Sequence, residues 1–164
     1  MDEILTHIEI DAGAHDVWRV LTDLRAYPEW NSMMSPEGDV LEPGARLHVR
    51  VRMGKWLRFT FRPTIRRADY EREFSWRGRL PARLLQGVHT FSIEPLADQR
   101  VRFVHREVFT GWLVPLYMWL MGGWATRAYS KMNRELKARA ELVCAQACRG
   151  TRLVTAEPPT LTPN

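Results

Sequence analysis

Cysteine is nearly missing from this chain: only Cys144 and Cys148 are present, four apart late in a predicted helix. Helical side-chain directions would strain a bridge between them. Without His or further Cys beside it, the pair is also a weak metal pattern. Two reduced thiols in a cytoplasmic protein is the expected reading, with no metal and no cofactor. Long apolar runs are missing too. Trp112 to Ala125 carries no charge, but it contains Pro115, Gly122 and Gly123 and falls short of the about twenty residues that cross a bilayer. A transmembrane segment is therefore not expected. The acidic start Met1-Asp2-Glu3 passes directly into a strand pattern, which argues against a signal peptide. The sequence has no internal repeats.

The 164 residues suit one domain with a substantial core, and 45% apolar with 26% charged is ordinary for a globular protein. The balance is basic, with a net charge of +5 and Arg far outnumbering Lys. Such a balance suits anionic partners. No RNA- or DNA-binding motif accompanies it, and nucleic-acid binding is not expected. Seven Trp is a high count. Core filling accounts for most of them, and Trp also lines binding surfaces because it joins an apolar body to a polar edge.

The residues between Gly111 and Ala147 read as one long helix. Val114, Met118, Met121, Ala125, Ala128, Met132, Leu136 and Val143 recur at spacings of three and four and form a single stripe. Arg127, Lys131, Arg134, Lys137 and Glu141 occupy the opposite side. From Trp112 to Trp124 apolar residues surround the helix, so its second side needs a cover: the loop Trp30–Pro36, a homodimer partner or a bilayer surface. The loop is expected first and a dimer second.

The preceding chain alternates with period two and predicts seven strands. Ile4, Thr6, Ile8 and Ile10 share a face of the first, and Val17 to Trp30 supplies two short helical pieces. Gly38–Glu42 gives a short strand, followed by runs over 47–53, 57–66, 73–78, 87–95 and 100–109. Pro63 lies inside the fourth run, where it cannot donate to a ladder, and marks a bulge or an edge. Beyond Gly150 three Pro and several Thr lack periodicity, so residues 150–164 are expected to be a disordered tail after a domain spanning 1–149.

The order of one strand, two short helices, six strands and a long helix resembles the START/birch-pollen-allergen superfamily, also called SRPBCC or the helix-grip fold. "IEIDAGAHDVWRVLTDLRAYPEWN" (Ile8–Asn31) looks like the opening of that family. "EFSWRGRLP" (Glu73–Pro81), "GVHTFSIEPL" (Gly87–Leu96), "HREVFTG" (His105–Gly111) and "MNRELKARAE" (Met132–Glu141) are similar to its polyketide cyclase/dehydratase-like branch. The resemblance implies an α+β fold in which a curved seven-stranded antiparallel sheet wraps a long C-terminal helix. It also implies a hydrophobic cavity between the two. The superfamily includes carriers, receptors and enzymes, so the fold alone does not choose among them.

Three polar residues fall on apolar strand faces: His89, His105 and Glu107. A buried carboxyl must be paired, hydrogen-bonded or neutral. One reading is a structural or ligand-orienting network, or Glu107 paired with an Arg at the sheet end. The other is acid-base catalysis of an aldol or dehydration step by all three. Trp30, Met34, Phe59, Phe61, Trp76, Phe91, Phe103, Phe109, Met121, Ala125 and Ala128 join them as expected lining of a cavity for a hydrophobic or aromatic, even lipid-like, small molecule. Trp30, Met33, Met34, Trp76 and Trp112 are expected at the mouth. Peripheral membrane contact is left open, as is the choice between monomer and homodimer.

Overall fold

The computed structural model describes residues 2–53 and 57–154, with 148 and 150–154 as backbone only. Strand β1 (Asp2–Ile10) leads into α1 (Ala14–Thr22), a 3-10 turn (Leu24–Ala26) and the short helix α2 (Tyr27–Trp30). Then come β2 (Met34–Glu37), β3 (His48–Met53), β4 (Leu57–Phe61), β5 (Thr64–Asp69) and β6 (Glu73–Arg79). A 3-10 turn (Pro81–Arg83), β7 (Gln86–Pro95), β8 (Val101–Thr110) and α3 (Val114–Val154) complete the order. All strand pairing is antiparallel, in a five-stranded ladder ordered β1-β8-β7-β6-β5 and a three-stranded ladder β2-β3-β4. The long helix packs against β1, β8 and α1. This is the helix-grip arrangement expected from the sequence.

Eight strands are described where seven are expected, and Pro63 explains the difference. The run over 57–66 divides there, because a residue without an N–H ends the ladder with β3. The Pro63 carbonyl accepts from Leu47 N at 3.0 Å, and Ile65 N donates to Ala45 O at 2.8 Å. The chain thereby passes from pairing β3 to pairing β6, and the Arg46–Thr64 bridge ties the two ladders together. The short strand expected at Gly38–Glu42 forms earlier, at Met34–Glu37, opposite Val51 to His48. Asn31 sets its start: the buried Oδ1 accepts from Met33 N and Met34 N at 2.9 and 3.0 Å and turns the chain out of α2. Between β3 and β4 the sequence predicts a turn at Gly54-Lys55, and those two residues lie outside the described ones.

The period-two strands bury the faces that their alternation implies. Ile4 and Ile10, Val49 and Val51, Phe74 and Trp76, Phe91 and Ile93, and Phe103 and Phe109 all point into one core. Phe74, Trp76, Phe91 and Phe103 follow one another across β6, β7 and β8 with ring centroids 5.1 to 5.9 Å apart. In α3 the buried positions are Val114, Ala125, Tyr129, Met132, Asn133, Leu136 and Ala140. The stripe therefore includes two polar residues and turns slightly from the expected one, leaving Met121 and Ala128 only partly buried. The helix continues through Val154, past its expected end at Ala147 and into the expected tail, whose remaining residues lie outside the described ones.

Leu136 is completely buried where α3 clamps the sheet. Leu136→Ala is expected to lower unfolding free energy by about 2–5 kcal/mol, read by chemical denaturation.

Candidate functional site

Strands β7 and β8 place His89, Glu107 and His105 on the inner face, and β1 and α3 supply their other partners. The register pairs His89 with Glu107 and Phe91 with His105. From the β1 side, Thr6 Oγ1 lies 3.5 Å from the His105 carbonyl and accepts from Asn133 Nδ2 at 3.0 Å. Asn133 Oδ1 is 2.9 Å from His105 Nδ1. His105 Nε2 and His89 Nε2 are hydrogen-bonded to each other. His89 Nδ1 lies 3.6 Å from Glu107 Oε2, the oxygen that also accepts from the Tyr129 hydroxyl. The Tyr129 ring stacks on His105 with centroids 4.3 Å apart.

These contacts fix the direction of the line. The Thr6 hydroxyl donates to the His105 carbonyl, so its oxygen is left to accept from the Asn133 amide. Asn133 then presents its carbonyl oxygen to His105, whose Nδ1 must carry a hydrogen. A neutral His105 offers a lone pair at Nε2, which makes His89 Nε2 the donor. His89 is left with a lone pair at Nδ1, facing the carboxyl of Glu107. One proton is needed between those two groups.

Burial sets where that proton rests. His89 is held well below the usual imidazole range, first by desolvation and then by His105 beside it. Desolvation takes His105 down to about 3, although the bond to Asn133 works the other way. The Glu107 carboxyl is pushed up to about 7 by burial, against the stabilising bond from Tyr129. If both were charged, the 3.6 Å approach of His89 to Glu107 would be an ion pair. Desolvation drives both toward neutrality instead, so the proton sits on Glu107. Tyr129 and Tyr117 are raised by burial and stay phenols.

Glu107, His89 and Tyr129 form the polar wall of a cavity of about 370 Å³ between the strands and α3. Its apolar lining includes Met33, Met34, Val51, Phe59, Phe61, Trp76, Leu85, Tyr117 and Trp124, with Gly78, Arg79 and Leu80 at one side. Phe59 on β4 lines this cavity and is 44% exposed. Gly87 is required for the carboxyl position: a Cβ there would meet Glu107 Oε1 at 2.5 Å.

Of the lining expected from the sequence, Met34, Phe59, Phe61, Trp76, His89 and Glu107 come together around this cavity. The others do not line it. His105 stands behind His89, and Phe91 and Phe103 fill the core beside it. Phe109 is buried against Tyr117. Ala125 is core, Met121 is partly buried, and Ala128 lines a separate cleft with Arg52 and Lys131. Trp30 packs on Tyr27 with centroids 4.6 Å apart, and its buried Nε1 finds no partner among the described residues. Tyr117, Trp124, Tyr129 and Asn133 are the residues that sequence reasoning missed. Tyr129 and Asn133 lie four apart on the inner stripe, a spacing that would have brought two polar groups to the His pair. Among the described residues no three His, Cys, Asp or Glu side chains gather as a metal site.

The model of the polyketide cyclase/dehydrase and lipid transport family matches residues 1–141. The chain belongs to that family. Solved members of the same fold include a Zhui aromatase/cyclase from a Streptomyces species, 16% identical with a TM-score of 0.67 over 85% of this chain and 93% of that one. A START superfamily protein from Mycobacterium smegmatis is 15% identical, with a TM-score of 0.62 over 88% of this chain and 98% of that one. A hypothetical protein from Helicobacter pylori is 16% identical, with a TM-score of 0.68 over 85% and 88%. At these identities the likeness concerns the fold. A comparison with curated proteins finds no matching sequence.

The raised Glu107 pKa has a consequence for stability. Between about pH 4.5 and 7 the folded protein holds this proton and the unfolded chain releases it, so the Glu107 contribution is lost as pH rises through 7. Glu107→Gln removes that loss. The variant is expected to match the parent near pH 4 and to gain on the order of 3 kcal/mol relative to it by pH 8, followed by urea denaturation across pH.

Proposed function

We propose that this protein binds a hydrophobic or aromatic small molecule in the cavity between sheet and α3, with one polar atom of the ligand at Glu107 and Tyr129. The observation that carries the reading is the unfilled apolar space before Phe59 and Phe61, closed at one end by the buried Glu107–His89 pair. A volume of about 370 Å³ suits a compact ring system or a short chain. Met33 and Met34 adapt to varied apolar shapes. This reading includes a cytoplasmic setting for the protein.

A second reading, a cyclase/dehydratase-like enzyme, is favoured by the same pair. A neutral carboxylic acid beside a neutral imidazole base is an arrangement that can protonate one atom of a substrate and deprotonate another. In that reading Glu107 and His89 are the catalytic residues and His105 a positioning residue that fixes the His89 tautomer. Loss of turnover in Glu107→Gln with binding retained favours the enzyme, and loss of binding alone favours the carrier.

Gly78 tests the cavity itself. A Cβ at Gly78 would stand 3.5 Å from the Phe61 ring, an ordinary contact, and a longer side chain would extend into the ligand space. Gly78→Leu is expected to fold and to weaken binding of an apolar fluorescent probe by at least about tenfold. Native mass spectrometry of the purified parent is expected to show a retained apolar ligand that this variant lacks.

A further inference from the structure

The cover expected over the apolar half of α3 is incomplete. Met33 and Ser32 reach Trp124, sharing a cleft with it. Toward the start of the helix its outer side is exposed among the described residues: Trp112 and Trp119 are 85% and 80% exposed, and Leu116 and Leu120 are also exposed. The loop before β7 extends the same surface. Its Ala82 and Arg83 both adopt left-handed backbone, at φ of 53° and 56°. Leu84 O accepts from Leu113 N at 2.9 Å, which clamps this loop to the start of α3. The clamp works because Gly111 has φ of 127° and no Cβ, where one would meet Leu84 O at 2.5 Å. Leu80 and Leu84 are thereby held out in solvent on either side of the strained Ala82–Arg83 backbone, and Arg79, Arg83 and Trp112 line one cleft with Leu80.

Charge decides what fits this surface. Residues 74–93 and 108–134, which carry it, contain no Asp or Glu. They contain Arg77, Arg79, Arg83, Arg127, Lys131 and Arg134. Some arginines elsewhere are paired, as Arg106 is with Glu3 at 2.7 Å and Arg139 with Glu29 at 2.7 Å. Arg79, Arg83 and Arg127 form no ion pair among the described residues. Leu116, Leu120, Gly123 and Arg127 follow one line of the helix at spacings of four, three and four, so the apolar line ends in positive charge. A two-fold dimer through this face would set the same unpaired cations against each other. A surface with an apolar interior and anionic headgroups complements both features at once.

We propose that the face formed by Trp112, Leu116, Trp119, Leu120, Leu80 and Leu84 is a docking surface for an anionic lipid bilayer. The Trp and Leu side chains enter the interface, and Arg79, Arg83 and Arg127 meet the headgroups. Arg79 and Leu80 also stand at the edge of the internal cavity, so docking places that edge at the lipid surface. The docking surface does not depend on what the cavity holds.

Vesicle co-sedimentation of the full chain tests it, using phosphatidylcholine vesicles with and without phosphatidylglycerol, alongside Trp112→Ser/Trp119→Ser and Arg83→Glu. Both variants alter exposed side chains, and circular dichroism confirms their folding. The parent is expected to bind the anionic vesicles at least about tenfold more tightly than the neutral ones, with the preference shrinking as salt is raised. The double Trp variant is expected to lose that binding, and Arg83→Glu to lose most of the preference. Parent protein that stays in the supernatant with anionic vesicles overturns the proposal. So does binding that survives the double Trp variant, or a stable dimer in sedimentation velocity that the same variant abolishes.

Discussion

One buried hydrogen-bonded line, from Thr6 through Asn133, His105 and His89 to Glu107 and Tyr129, ties the sheet to the helix. Among the described residues, the other contacts between α3 and the strands are apolar packing and the exposed bond from Lys137 Nζ to the Glu9 carbonyl at 2.8 Å, and these tolerate small shifts. This line does not, because an unmade bond in a dry interior leaves a buried polar group at full desolvation cost. It fixes which turn of α3 faces β8, and the turns before Tyr129 then form one wall of the cavity. It also carries chemical direction. With Asn133 and Thr6 at one end, both imidazole tautomers are determined, and the one labile proton is delivered to the end that faces the cavity.

The fold was largely legible because strand alternation and helical spacing are strong patterns. Leu47 to Met53 and Val101 to Phe109 alternate so cleanly that their buried faces follow at once. The departures have local causes. Pro63 divides one long run into β4 and β5, and Asn31 starts β2 earlier than the Pro- and Gly-bearing segment after it suggests. The His89, His105 and Glu107 cluster was legible because polar residues on an apolar face stand out. Tyr129 and Asn133 do not stand out, since apolar residues alone define a helix stripe in sequence. Phe91, Phe103 and Ala125 are apolar and inward, and periodicity does not distinguish a residue lining a cavity from one packed behind it.

The cavity and the exposed face are separate consequences of one economy in the sequence. Large apolar side chains on β4 and the first half of α3 have too little protein to pack against. On the inside this leaves space before Phe59 and Phe61. On the outside it leaves Trp112 and Trp119 in solvent, among arginines with no acidic neighbour in sequence. The second half of α3, from Tyr129 onward, is by contrast a conventional one-sided clamp, with Met132, Leu136 and Ala140 inward and Lys137 and Arg139 tied to Asp11 and Glu29 outside.

The directional line is tested most directly by nitrogen NMR of the two imidazoles across pH. The account predicts that His105 carries its hydrogen on Nδ1 and His89 on Nε2, and that both rings stay neutral well below the ordinary imidazole range. Either ring titrating near its ordinary value of about 6.5, or both showing the same tautomer, would contradict it.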